Sequence, residues 1–94
     1  MTISFASRLR AADQVLIQEI RGEIMFLNMP SESYFGLDAV GSQMYRTLVS
    51  SDSVQAAFDA LLKEYDVEDA RLRSDLQDLI TKLVDHGLLR VEST

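Results

Sequence analysis

The sequence predicts an α+β domain in which a three-stranded antiparallel sheet is followed by three helices. Three short apolar runs occupy the chain between residues 15 and 37, and residues that favour turns separate them. After Asp38 the apolar residues change to the spacing of three and four that is typical of amphipathic helices. A run of strands followed by a run of helices indicates the α+β class.

Residues 1–14 are expected to form an extended arm, and residues 15–94 a single domain. The first strand, residues 15–20, is rich in β-branched residues. Gly22 follows it and offers the positive φ that a tight turn requires. The second strand, residues 24–29, is largely apolar on both faces, with Ile24 and Phe26 on one face. We therefore expect it to be the central strand.

The third strand is predicted over Tyr34–Leu37, after the turn formers of residues 30–33. Neighbouring residues of a strand point to opposite faces, so either Tyr34 or Phe35 packs inward and the other needs a helix or a partner to cover it. If this strand has no partner on one side, its exposed backbone groups are the foremost candidate for a functional surface.

Three amphipathic helices are predicted after this strand. The first covers about residues 39–49, with Asp38 as its N-cap and Val40 on its apolar side, and the second begins after Asp52 or Ser53. The third runs to about His86. Its start is marked by Asp66 and Asp69, which resemble a capping pair, and its end by Gly87. The tail at 88–91 packs back or forms a short extended end.

The third helix carries a wide apolar face. Six aliphatic residues between positions 72 and 84 span an arc of roughly 140°, whereas an ordinary core stripe needs about 100°. Two interpretations remain open. Either a small domain buries a wide helix face, or part of the arc faces the core and part lines a groove.

Composition and charge exclude several classes of function. The 94 residues have a net charge of −6 and contain no cysteine, so disulfides, thiol catalysis and thiolate metal sites are excluded. No basic cluster is present, which argues against binding to nucleic acid or to anionic membranes. We find no transmembrane segment and no secretory signal pattern, and we expect a cytoplasmic protein.

No catalytic or cofactor-binding motif is visible. His86 is the only histidine, and its place at a helix end favours capping or solvent exposure over catalysis. The acidic residues follow a solvated helix face, and the four glycines are isolated, so no phosphate-binding loop is formed. The sequence therefore predicts a protein that is not an enzyme and that needs no cofactor or metal.

The order and spacing of several segments resemble the PqqD family. The similarity covers about residues 15–89 and departs mildly from the family pattern at Asp38, Val40 and Tyr45. The segments that carry it are Phe26–Met29, Ser33–Asp38, Val40–Leu48, Leu61–Val67, Asp75–Leu83 and Gly87–Leu89.

The resemblance implies a winged-helix-like domain of the kind called a RiPP recognition element. Such a domain binds the leader segment of a ribosomally made precursor peptide and presents it to a radical SAM or protease-like modifying enzyme, in pyrroloquinoline quinone or related biosynthesis. In the family, the leader adds as a strand to the third strand and lies against the third helix. The implied contact residues are Tyr34, Phe35, Gly36, Leu37, Leu72, Arg73, Leu76, Leu79, Ile80 and Leu83.

Two other functions are alternatives to leader binding. A small homodimerisation or structural domain could cover the same strand edge with a second copy. A winged-helix nucleic-acid binder would have the same order of helices, but the acidic third helix argues against it.

Overall fold

The computed structural model describes residues 3–92. It confirms the α+β class and the order of strands and helices, and it adds a second, two-stranded sheet. The strands are β1 Arg8–Ala11, β2 Val15–Ile20, β3 Glu23–Asn28, β4 Ser33–Gly36 and β5 Leu89–Glu92. The helices are α1 Ala39–Ser50, α2 Val54–Glu64 and α3 Asp69–Asp85.

The predicted three-stranded sheet is antiparallel in the order β2-β3-β4, so β3 is central as expected. Arg21 (φ 54°) and Gly22 (φ 84°) form the two-residue turn between β2 and β3. Positive φ at both positions defines a type I′ turn, whose twist matches that of the strands it joins. Phe26 lies opposite Ile17 on one side and opposite Phe35 on the other.

The helix ends agree with the sequence at three of the four predicted signals. Asp38 Oδ1 accepts from Gly41 N at 2.8 Å and caps α1, and Ser53 Oγ accepts from Ala56 N at 3.1 Å and caps α2. Gly87 has the expected left-handed φ of 71°. The capping pair predicted for α3 is wrong: Glu68 is the N-cap and makes no side-chain cap bond. Because Asp69 is already the first residue of the helix, it stabilises α3 only through its charge.

The second sheet joins the two ends of the chain. In it β1 pairs antiparallel with β5, from Arg8 opposite Glu92 to Ala11 opposite Leu89. The expected arm therefore contains a strand, and the expected short extended end is its partner. Leu9 of β1 is 1% exposed and belongs to the core.

The core lies between the β2-β3-β4 sheet, the β1-β5 pair and the three helices. Phe26 is fully buried at its centre, and Tyr45 meets it edge-on, with ring centroids 5.0 Å apart. Val40 is 51% exposed, although helical spacing placed it on the apolar side of α1. It sits in the first turn of α1, beyond the edge of the core. Within residues 3–92, no helix is long and apolar enough to cross a membrane.

Candidate functional site

The free edge of β4 presents the backbone of two residues. Leu37 N donates to Ile24 O at 2.8 Å, and Phe26 lies opposite Phe35. Hydrogen-bonded pairs alternate along an antiparallel ladder, so Phe35 directs its backbone groups toward β3. Tyr34 and Gly36 then direct theirs away from the sheet. Among the described strands, only β3 pairs with β4, so this edge is open.

A pocket of about 390 Å³ lies beside this edge, between β4 and the end of α3. Its aromatic wall is Phe35, whose ring packs against that of His86 with centroids 4.7 Å apart. Its lining residues are Asn28, Ser31, Ser33, Tyr34, Phe35, Asp85, His86, Gly87 and Leu88.

One hydrogen bond joins the end of α3 to the sheet, and a second, within the helix, orients the His86 ring. Asn28 Nδ2, on β3, donates to His86 O at 3.0 Å, and His86 Nδ1 lies 2.7 Å from Lys82 O. Gly87 is required at this point. A Cβ there would lie 3.0 Å from Asn28 Nδ2, and its positive φ disfavours other residues. The last turn of α3 is thereby fixed against the sheet and forms one wall of the pocket.

Tyr34 and Phe35 divide between the two faces of β4. Phe35 is the inward residue, half-buried against the core, whereas Tyr34 is 71% exposed. Tyr34 shares the outer face with Leu27 and Leu16, its successive neighbours across the sheet. An aromatic side chain is therefore available on each side of the open edge, one at the pocket and one on the outer face.

The structure does not bring all the predicted contact residues to this edge. Leu72, Leu76, Ile80 and Leu83 are at most 1% exposed and belong to the core, so most of the wide apolar arc of α3 is core-facing. A peptide could reach these four side chains only if the core opened. Peptide contact at these positions remains a prediction.

Two other predicted contact residues on α3 lie at the margins of the core. Leu79 is half-buried and packs against it. Arg73 stacks its guanidinium on Phe5 and Phe58, 4.7 Å from each ring centroid. This stacking joins α3 to α2 and to the N-terminal segment, so Arg73 already has aromatic partners in the free chain. Contact between Arg73 and a peptide is a further prediction.

Seven of the nine pocket residues were not among the predicted contacts. They are Asn28, Ser31, Ser33, Asp85, His86, Gly87 and Leu88. Sequence reasoning assigned His86 to the end of α3 and did not connect that end with Phe35. Gly87 was the one signal in the sequence that bears on this wall, because it marked the end of α3. It could not show that this end packs against β4, since that depends on the tertiary structure.

The ion pairs of α3 are exposed and lie near its start, whereas the pocket borders its end. On α3, Arg71 pairs with Asp75 at 3.9 Å and Arg73 with Asp69 at 3.7 Å. Within residues 3–92, no cluster of three or more His, Asp or Glu residues could hold a metal ion. The pocket offers hydrogen-bonding groups and aromatic surface, which suit recognition of a peptide-sized ligand.

A protein-family model matches the part of the chain that forms this site. Residues 23–89 match the model described as "Coenzyme PQQ synthesis protein D (PqqD)". The chain belongs to the PqqD family. The matched span includes β3, β4 and all three helices, and therefore both walls of the pocket. A comparison with curated proteins finds no match.

Two solved structures are similar to this PqqD-family chain. One is "TbiB1 in Complex with the TbiA(beta) Leader Peptide", with a TM-score of 0.81 and 30% identity over 90% of this chain and 99% of that one. The other is "Lasso peptide synthetase B1 complexed with the leader peptide", with a TM-score of 0.79 and 20% identity over 88% of this chain and 98% of that one. The second likeness supports the fold.

Proposed function

We propose that this protein binds the leader segment of a ribosomally synthesised precursor peptide without acting on it chemically. The observation that carries the proposal is the open edge of β4 beside the Phe35–His86 pocket. TbiB1, which is 30% identical over 90% of this chain, is bound to a leader peptide.

The leader is proposed to add as a strand to β4. The backbone groups of Tyr34 and Gly36 supply hydrogen bonds that do not depend on the sequence of the peptide. Alternate side chains of an added strand would point to the pocket and to the outer face in turn. Leader side chains on the pocket side would contact Phe35, and those on the outer face would contact Tyr34. On each face, the site would therefore select apolar leader residues at every second position.

The bound leader would then be presented to a modifying enzyme, of the radical SAM or protease-like type, in the cytoplasm. The product is pyrroloquinoline quinone or another modified peptide. In this role the protein contributes affinity and position, and the partner enzyme contributes the chemistry. A short precursor reading frame beside a gene for such an enzyme would decide the pathway.

The proposal is tested by replacing Gly36. We expect Gly36→Pro to abolish leader binding, because it removes a donor from the open edge while no bond of the β3-β4 ladder uses that N–H. Gly36→Ala is the matched control. It keeps the donor, and its Cβ meets only the flexible end of the Met25 side chain, with Cε at 3.4 Å and Sδ at 3.6 Å. We expect binding to be retained.

The measurement is isothermal calorimetry with two synthetic peptides, the TbiA(beta) leader and the leader of the neighbouring precursor. Circular dichroism confirms that both variants keep their helices. Equal affinity of Gly36→Pro and Gly36→Ala would contradict strand addition at β4. Absence of binding to either leader by the unmodified chain would contradict leader recognition itself.

Nucleic-acid binding is the weaker alternative. Arg71 and Arg73 of α3 lie beside Asp75 and Asp69, whose negative charges offset the attraction of this face for phosphate. A mobility shift at low salt separates the two functions. Tight, salt-sensitive binding to DNA would contradict leader recognition as the role of this surface.

A further inference from the structure

We propose that a second copy of this chain pairs with the other edge of the sheet, along β2. The two β2 strands would run antiparallel around a two-fold axis and join the sheets into one of six strands. The β4 edges would lie at the two far ends, so the dimer leaves both proposed leader sites free.

The backbone of β2 is available for this pairing. Met29 N donates to Gln14 O at 3.0 Å, and the ladder runs from there to Ile20 opposite Glu23. By the alternation of antiparallel ladders, even-numbered residues of β2 direct their backbone groups to β3. The odd-numbered residues, Ile17 and Glu19 among them, direct theirs outward. Among the described strands, none pairs with them.

The side chains of β2 do not protect this edge. Natural edge strands carry lysine, proline, bulges or free charges that prevent pairing, whereas Val15–Ile20 has one charged residue, Glu19, which is paired with Arg46. The outer face instead exposes Leu16 by 56% and Ile20 by 59%. In a sheet with one solvated face, these positions would be polar.

Two-fold symmetry selects the register. Residues opposite each other must lie on the same face, so the axis must pass through a residue. With the axis at Gln18, Leu16 lies opposite Ile20 of the second copy, and both exposed aliphatic side chains are covered. With the axis at Ile17, Leu16 lies opposite Gln18. The first register is preferred because it pairs apolar residues with each other and amide with amide.

Backbone geometry agrees with this register. With the axis at Gln18, Ile17 lies opposite Glu19 of the second copy, and both residues direct their backbone groups outward. They can therefore exchange hydrogen bonds in both directions. Gln18 would face its own copy at a non-hydrogen-bonded position, where Cα atoms are about 4.5 Å apart.

Pairing of two β2 strands brings no like charges directly opposite each other. Glu19 is the only charged residue of β2, and it is paired with Arg46 of α1 within its own chain. Arg21, in the turn, would lie opposite Val15. No like charges therefore meet directly, although the net charge of −6 on each copy opposes association at low salt.

The size of the contact predicts a weak dimer. A six-residue edge with two apolar side chains buries less than the roughly 800 Å² per partner of a standard interface. We expect a monomer–dimer equilibrium that shifts with concentration. Sedimentation of the unmodified chain should show the mean mass rising toward twice the monomer value as concentration increases.

The sharpest test uses the absence of cysteine. A single Gln18→Cys substitution places two thiols on the proposed axis, within the Cα range of about 4.4–6.8 Å that a disulfide needs. We expect oxidised glutathione to cross-link this variant at least tenfold faster than Ser74→Cys. Ser74 is an exposed residue of α3 and reports random collision.

Further substitutions test the register in which the two β2 strands pair. Leu16→Cys alone should not cross-link, because four residues along the strand separate the two copies by about 13 Å. Mixed with Ile20→Cys, it should form the heterodimer. Adding Leu16→Lys to Gln18→Cys should slow cross-linking to the rate of Ser74→Cys, because a lysine on an edge strand prevents pairing.

The proposal is overturned if Gln18→Cys reacts no faster than Ser74→Cys at equal concentration. It is also overturned if Leu16→Lys leaves the fast cross-linking unchanged. Saturating leader peptide should not slow the reaction, since the leader is proposed at β4. Loss of cross-linking with leader would show that the leader and the second copy compete for β2, and would overturn the claim that the dimer leaves the leader sites free.

Discussion

Tyr45 shows how a single buried side chain makes stability depend on pH. The residue is 4% exposed, and its ring packs edge-on against that of Phe26. Burial raises the pKa of the Tyr45 phenol above its ordinary value of 10.0. Ionisation is therefore easier in the unfolded chain, and the folded state holds the proton more tightly.

The sign of the effect follows from proton linkage. Below about pH 10 the phenol is neutral in both states, and its contribution to stability is complete. As the pH rises from 10 through the raised pKa of Tyr45, the unfolded state releases its proton first and stability is lost. We expect the urea midpoint to fall steadily in this window.

Tyr45→Phe separates this effect from other alkaline titrations. The variant keeps the ring that packs on Phe26 and removes the ionisable group. At pH 7 we expect its midpoint to lie close to that of the unmodified chain, and above pH 10 to fall less steeply. Parallel curves for the two proteins would show that Tyr45 is not the responsible group.

At the scale of elements, Ser42 joins a helix to the sheet. It is fully buried in α1, and its Oγ accepts from Ile24 N of β3 at 2.8 Å and donates to Leu37 O at 3.3 Å. Leu37 N already donates to Ile24 O. The hydroxyl therefore bridges the last two partners of the β3-β4 ladder, where the chain leaves β4 for α1.

We expect Ser42→Ala to cost about 1–3 kcal/mol, because it leaves the buried N–H of Ile24 without a partner. Urea denaturation measures the loss. Ser50→Ala is the matched control on the same helix. Ser50 is exposed and makes only a hydrogen bond to Thr47 O, so we expect little change. Equal effects of the two substitutions would contradict the bridging role of Ser42.

At the scale of the whole molecule, the N-terminal segment is part of the packing. Ile3 and Leu9 belong to the core, at 6% and 1% exposure. Phe5 O and Ser7 O accept from the backbone of Gln55 and Val54 at the start of α2, each at 2.8 Å. The segment therefore connects β5 and the first turn of α2.

The division into an arm of residues 1–14 and a domain of residues 15–94 is tested by truncation. We expect a chain beginning at Val15 to unfold at markedly lower urea concentration. It loses two core residues and the partner strand of β5, and each buried aliphatic side chain contributes about 1.5–3 kcal/mol. An unchanged midpoint would show that residues 15–94 are self-sufficient.

Much of the fold could be predicted because local signals and global packing agree. The β-branched run of Val15–Ile20, the turn at Gly22 and the caps at Asp38, Ser53 and Gly87 each act within a few residues. Their spacing was enough to order the elements and to mark β3 as central. Segments between Phe26 and Leu89 carried the resemblance to the PqqD family, and the family model confirms it over residues 23–89.

The candidate site was predicted in part. Tyr34–Leu37 had been singled out in case its edge was unpaired, and no described strand covers that edge, because the later strand β5 pairs with β1. The opposite wall was predicted along Leu72–Leu83, whereas the pocket beside β4 is lined by residues at the end of α3. Periodicity gives the apolar face of a helix but not the element that covers it. Leu72 and Leu76 meet the core, while His86 reaches Phe35.

By itself, the sequence determined the class, the order of elements and the family of this protein, since these follow from propensity, periodicity and capping along the chain. Only the tertiary structure decided which strands close into the second sheet and which end of α3 borders β4. Both depend on contacts between residues distant in sequence, such as Leu9 with Val91 and Asn28 with His86. No local pattern encodes such pairs, because packing of the whole core selects them.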